Sequence, residues 1–231
     1  MAIWAIADLH LSFNENKPMD VFGENWQNHE EKIKQDWLSK VTDDDLVLLP
    51  GDFSWSMHLK DTVKDFEYLN SLPGKKLLLK GNHDYWWTTV TKMKKFLKEN
   101  NFKNIDFLYN NSYEYEGYIV AGTRGWALSG EEYDPKLIDR EMQRLEISIQ
   151  DGVKRYGNHK EIIICMHYPP TTKNCEMNFI NIMKKYNVMQ CLYGHLHSSA
   201  IKEAVEGNVC GIDLKLISAD GVNFKLQKIK D

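Results

Sequence analysis

An α/β architecture of layered mixed sheets follows from three features of the sequence. Apolar runs of four to six residues, short enough to be buried strands, alternate with amphipathic stretches through most of the chain. The last part changes to strand-like runs without intervening helices. No repeat, low-complexity segment or Gly/Ser/Pro linker interrupts the pattern, so all 231 residues read as one domain.

The strand runs are Ile3 to Ala7, Leu46 to Leu49, Lys76 to Leu79, Tyr118 to Ala121, Ile162 to Met166 and Val188 to Tyr193. Their continuous apolarity is that of strands covered on both faces. Helical periodicity places helices at about Glu30 to Lys40, Asp61 to Ser71, Thr88 to Glu99, Asp134 to Tyr156 and Glu176 to Tyr186. The lysine-rich part of the third, Lys92 to Lys98 with Met93 and Phe96, reads as an amphipathic helix with a solvated face. Asp213 to Ser218 and Val222 to Ile229, joined by Ala-Asp-Gly, read as an antiparallel hairpin closing one sheet. Phe13 to Gln27 is a long loop, either a substrate-selecting element or a packing insertion.

Composition narrows the partners. With 29 basic against 33 acidic residues the net charge is -4, which gives no basic field for nonspecific binding to a nucleic-acid polymer. Cys165, Cys175, Cys191 and Cys210 are 10, 16 and 19 residues apart, matching neither a C-x-x-C pair nor a dense disulfide framework; they read as reduced, mostly buried thiols. The start of the chain lacks the basic and long apolar regions of a signal peptide, and no apolar stretch approaches a membrane span. A cytoplasmic protein without membrane contact is expected.

Ligands of α/β sheets gather at the carboxyl ends of the strands. There the sequence places Asp8 and His10, then Asp52, then Asn82-His83-Asp84, then His167, and finally His195 and His197. Five of six strand ends therefore deliver Asp, Asn or His, where packing alone would place apolar or turn residues. Carboxylate, carboxamide and imidazole suit manganese, iron, zinc, nickel or cobalt, and the absence of cysteine from the set argues against a structural zinc knot. Seven donors exceed what one ion with an open position needs but fit two divalent ions sharing a carboxylate, for which Asp52 is the candidate. Two such ions activate water and neutralise phosphoryl charge, the requirements of phosphoester hydrolysis.

The motifs D-x-H, G-D, G-N-H-D, a lone H and G-H-x-H, in this order from Asp8 to His197, resemble the calcineurin-like metallophosphoesterase superfamily. The resemblance implies an α-β-β-α sandwich of two mixed sheets flanked by helices, with two divalent ions, manganese foremost. It assigns Asp8, His10 and His197 to one ion and Asn82, His167 and His195 to the other, with Asp52 bridging. It makes His83 a catalytic residue that faces the substrate and protonates the leaving alkoxide, with Asp84 orienting its ring.

Departures from relatives are also legible. Gly51-Asp52-Phe53-Ser54-Trp55-Ser56 lacks the G-D-x-x-D-R-G of Ser/Thr protein phosphatases, and with it a phosphate-gripping arginine. Trp55 stands where purple acid phosphatases have tyrosine. These differences favour a phosphodiester of a small nucleotide-like molecule over the alternative, a phosphorylated metabolite hydrolysed as a monoester. A non-catalytic scaffold is disfavoured by the intact ligand set and His83; a nuclease, by the acidic charge. Tyr85, Trp86 and Trp87 form either a wall for the leaving group, with Trp86 as substrate contact, or core. Arg124, among glycines after a strand, is a candidate for a substrate phosphate or else a structural arginine. His29, His58 and His159 read as exposed bystanders. Oligomeric state has no signature in the sequence.

Overall fold

A computed structural model of the chain describes residues 1–15, 17–174 and 176–231. Along these residues run β1 (Ile3–Ala5), α1 (His29–Lys40), β2 (Leu46–Pro50), α2 (Val63–Ser71), β3 (Lys75–Leu79), α3 (Val90–Glu99), β4 (Ile105–Phe107), β5 (Tyr113–Tyr115), β6 (Tyr118–Thr123), α4 (Pro135–Tyr156), β7 (Ile162–Met166), α5 (Asn178–Met183), β8 (Val188–Tyr193), β9 (Gly207–Val209), β10 (Ile212–Leu216) and β11 (Gln227–Lys230).

Two mixed sheets form the centre. One has the order β11-β1-β2-β3-β4, parallel except for β11, and the other β5-β6-β7-β8-β10-β9, parallel except for its two edge strands. Alternation along each strand divides its side chains between two layers. In β2, Leu46 and Leu48 enter the core between the sheets, whereas Val47 and Leu49 face Trp37, Phe66 and Phe96 of the first three helices. In β7, Ile163 and Cys165 face inward, and Ile162, Ile164 and Met166 pack with Leu145 of α4 and Phe179 of α5. The result is the expected α-β-β-α sandwich.

The C-terminal hairpin does not form. β10 pairs parallel with β8 in the second sheet, while β11 pairs antiparallel with β1 in the first. The Ala-Asp-Gly segment between them is thus a crossover between sheets, and its backbone curls into successive turns before β11 begins. Three short strands, β4, β5 and β9, also escape the sequence reading, because three residues carry too little periodicity to register. The last helix is shorter than expected: after Met183 the N–H groups of Lys185 and Tyr186 bond three residues back, a tightened turn that carries the chain into β8.

Of the thiols, Cys165 and Cys191 are buried and Cys210 is exposed, all three unbonded to one another. Cys175 lies outside the described residues. Among the described residues no helix is long and apolar enough to cross a membrane.

Candidate metal centre

The strand-end donors converge. Asp8 and His10 follow β1, Asp52 follows β2 and Asn82 follows β3, all from the first sheet; His167 follows β7, and His195 and His197 follow β8, from the second. Two sets of three bring one donor atom each to within 4.8 Å of the others: Asp8, His10 and His197, and Asp8, Asp52 and His167. His167 Nε2 lies 2.6 Å from Asn82 Oδ1 and 3.6 Å from Asp52 Oδ2, and His195 Nδ1 lies 3.0 Å from the same Asn82 oxygen. His10 Nε2 is 3.7 Å from Asp52 Oδ2, and His197 Nε2 is 3.5 Å from Asp8 Oδ1.

Local backbone geometry aims these groups. Asp8, His10, Asp52 and His195 all have positive φ, between 46° and 71°, a region that non-glycine residues seldom occupy and that clusters at functional sites. The glycines ahead of the ligands answer a different need, close approach. A Cβ on Gly81 would lie 2.0 Å from Asp52 Oδ1, and one on Gly194 would lie 2.3 Å from Asp8 Oδ2.

Asp8 and Asp52 are almost wholly buried, and among the described residues neither pairs with a lysine or arginine. Burial, with Asp84 and Asp8 nearby, pushes the Asp52 carboxyl well above its usual range. The imidazoles answer in the opposite sense. Burial lowers His167 and His195 to about 3, and His10 is also held down by burial and by His197. His197 differs: burial alone would lower it, but the Asp8 charge and the Asp220 hydrogen bond outweigh that and raise it to about 10.

These features fit a cation. His167 Nδ1 meets the Pro50 carbonyl at 3.1 Å, which can only accept, so a neutral His167 carries its proton there. Its Nε2 then presents a lone pair to the Asn82 carbonyl oxygen, a contact between two acceptors that a metal ion between them would relieve. His10 Nδ1 and His197 Nε2 are buried without a hydrogen-bond partner. A buried Asp52 carboxylate whose Oδ2 lies 3.6 Å from the His167 Nε2 lone pair is costly unless a positive charge joins them.

The sequence profile of the calcineurin-like phosphoesterases matches residues 1–199. The chain belongs to that family. Members of this metal-dependent family are phosphoesterases, and the candidate ligand groups fall within the matched segment. Over 81 residues the chain is 30% identical to the gene 66 protein of Mycobacterium phage L5, a match covering 35% of this chain and 39% of that protein. Among solved structures, a protein of unknown function from Aquifex aeolicus shares the fold with a TM-score of 0.53 at 19% identity, over 98% of this chain and 95% of its own. The phosphopantetheinyl hydrolase of Mycobacterium tuberculosis does so with a TM-score of 0.59 at 14% identity, over 99% and 95%.

Around the centre, several expected roles change. Asp84 does not orient the His83 ring. Its carboxylate accepts five hydrogen bonds, from the N–H groups of Gly81, Asp52, Phe53 and Ser54 and from the Trp86 indole at 2.7 to 3.3 Å, so it shapes the Asp52 turn. His83 Nδ1 is buried without a partner. Trp86 is core: it is buried, packed edge-on to Phe53 and Phe66, and unable to touch substrate. Its neighbours divide, with Tyr85 exposed 6.1 Å from His83 and Trp87 lining a cleft beside β3. His29 is no bystander, because its buried ring bridges the carbonyls of Leu9 and Trp26, tying the β1 loop to α1; His58 and His159 are exposed.

Three further residues at the centre lie outside the expected site residues. Asp220 accepts from His197 Nδ1 at 2.7 Å and from the Ser198 N–H, and so directs His197 Nε2 toward Asp8. Trp55 stacks on His10 at 4.8 Å and lies 4.5 Å from His83. Trp26, in the long loop after β1, packs edge-on to His10 and His197, so that loop walls the site. Trp26 carries a sequence signal as a lone large aromatic in a polar loop, and Trp55 as the residue in the tyrosine place of the G-D-x-x-Y pattern; Asp220 carries none.

Proposed function

We propose that the chain hydrolyses phosphoesters of small molecules with two divalent metal ions, manganese foremost. Asp8, His10 and His197 would hold one ion, Asn82, His167 and His195 the other, and Asp52 would bridge them. The observation that carries this reading is the pair of buried carboxylates, Asp8 and Asp52, ringed by imidazole nitrogens and, among the described residues, paired with no lysine or arginine. When bound, ions there lower the pKa of a coordinated water to about 7 and neutralise charge on phosphoryl oxygens.

The remaining work falls to side chains. His83 stands at the mouth of the site, its side chain 34% exposed, with Nε2 4.0 Å from Asp52 Oδ2 and its backbone N–H bonded to Asp52 Oδ1 at 2.8 Å. Burial lowers its pKa, so a substrate anion beside the ring is what would favour its protonated form. From Nε2 it donates a proton to the leaving oxygen. Trp55 and Trp26 keep water from the other side of the His10 ring.

A phosphodiester of a nucleotide-like molecule is the favoured substrate, since no arginine follows Asp52 to grip a terminal phosphate. The test compares bis-p-nitrophenyl phosphate with p-nitrophenyl phosphate on the manganese-loaded protein, with Asp52→Asn and His83→Ala alongside. Diester preference that both variants lose supports the reading. Monoester preference redirects it to a phosphorylated metabolite, and inactivity with every metal bound overturns hydrolysis itself.

A further inference from the structure

A cleft of about 660 Å³ opens where the ends of β3 and β6 meet α4. Two of its lining residues are tied to candidate ligands. Lys80 stands two residues before Asn82, and the Arg124 carbonyl accepts the N–H of His167 at 3.1 Å. In a chain of net charge -4, the lining of this cleft is strongly cationic: Lys80, Arg124, Arg140 and Arg144, against one carboxylate, Glu141.

That carboxylate organises the cations more than it neutralises them. Glu141 is fully buried on α4, and its Oε1 accepts from Arg144 at 2.7 Å and from two nitrogens of Arg140 at 3.1 and 3.2 Å, while Oε2 accepts from the Thr123 hydroxyl at 2.6 Å. Two guanidinium groups are thereby fixed side by side on the wall. Among the described residues, neither Lys80 nor Arg124 forms an ion pair at contact distance; Arg124 lies over the face of Trp126, 4.5 Å away, and both feel the Glu141 charge from further off. Half-buried cations that outnumber their anions are a standing electrostatic cost, relieved when an anion enters, and planar guanidiniums match phosphoryl oxygens in particular. Trp87 and Tyr109 line the same cleft, Arg144 lies over the Tyr109 ring, and the buried Trp87 indole N–H has no acceptor.

We propose that this cleft is a second phosphoryl-binding subsite of the active centre: the substrate carries, besides the scissile phosphoester, a further phosphoryl group that Lys80, Arg124, Arg140 and Arg144 receive. Glu141 is the positioning residue that holds the two α4 arginines. This rests on the hydrolase reading for the substrate's role, but the anion site itself is independent of it.

Two measurements separate those parts. The first is calorimetric titration of the metal-free protein in EDTA with inorganic triphosphate, using wild type, Arg140→Gln/Arg144→Gln and Lys80→Gln/Arg124→Gln. The second pair leaves Glu141 its partners, so a folding defect in the first cannot hide the answer. Saturable, salt-sensitive binding that weakens at least tenfold in a folded variant is expected; no saturable binding, or wild-type affinity in both variants, overturns the site. The second compares kcat/KM of the manganese-loaded protein for the 5′-p-nitrophenyl ester of thymidine 5′-phosphate with and without a 3′-phosphate. At least tenfold preference for the 3′-phosphorylated ester, reduced in Lys80→Gln/Arg124→Gln, is expected. Equal values alongside arginine-dependent triphosphate binding would make the cleft a site for a free anion and overturn its role in substrate binding. Turnover of bis-p-nitrophenyl phosphate in the same preparation reports on the hydrolase reading separately.

Discussion

Asp84 and His83 are adjacent in the chain and differ in their surroundings, one buried and the other part-exposed. Because Asp84 Oδ2 accepts from the N–H groups of Gly81 and Asp52 while Oδ1 accepts three more, an amide in its place must turn its NH2 toward donors whichever way it rotates. Each buried donor left unmet costs about 1–3 kcal/mol, so Asp84→Asn should lower unfolding stability by about 3 kcal/mol in urea titrations. His83→Ala, at a half-exposed ring, should leave stability within about 1 kcal/mol and yet reduce turnover by about 10²–10⁴-fold, the range for a lost acid–base group. If Asp84→Asn instead kept its stability and lost only turnover, the ring-orienting role would return. Asp220 acts through His197, so Asp220→Ala should weaken manganese affinity by about 10–100-fold in calorimetry, with Asp220→Asn milder because an amide oxygen still accepts from Nδ1. The proposed ligands are legible in the sequence because each sits within a few residues of a strand end, and four of them, Asp52, Asn82, His195 and His197, also follow a glycine closely. Asp220 is not, since Ala-Asp-Gly between two apolar runs has the composition of a hairpin turn, and only the sheet pairing shows that it crosses between layers.

Among the elements, β3 does two things at its two ends. At its exit Gly81 lets the Asn82 loop pass against Asp52, and Gly81→Ala, with a methyl 2.0 Å from that carboxylate oxygen, should displace it and abolish stoichiometric manganese binding while the far-ultraviolet spectrum is retained. Near its entry Lys76 is buried, its ammonium bonded to the Leu72 carbonyl, and burial lowers its pKa to about 8. Between about pH 8 and its unfolded value near 10.4 the unfolded chain binds the extra proton, so this residue's contribution to stability rises with pH across that window. The advantage of Lys76→Met over wild type in urea unfolding should therefore shrink from pH 8 to pH 10; a constant difference would show that Lys76 stays charged. The strands that flank the site are legible because their apolar runs are continuous on both faces. β4, β5 and β9 are not, because at three residues their place in a sheet is set by neighbours and not by their own pattern.

At the scale of the whole molecule, the centre lies where the two sheets meet. Asp8, His10, Asp52 and Asn82 come from the first sheet and His167, His195 and His197 from the second, so ions held by both sets would brace one layer against the other. A ligand bound only by the folded chain stabilises it in proportion to the logarithm of its concentration, about 2.7 kcal/mol at one hundred times Kd. For a chain of this size that corresponds to a rise in Tm of about 5–10 °C, and EDTA should reverse it. His167→Ala removes a donor of the second sheet and should blunt the rise, whereas His83→Ala, outside the proposed ligand set, should keep it in full. The contrast separates bracing from catalysis: a Tm unmoved by manganese in wild type would mean that the sheets are held by the core of Leu48, Leu77, Ile163 and Leu192 alone, with no contribution from the centre.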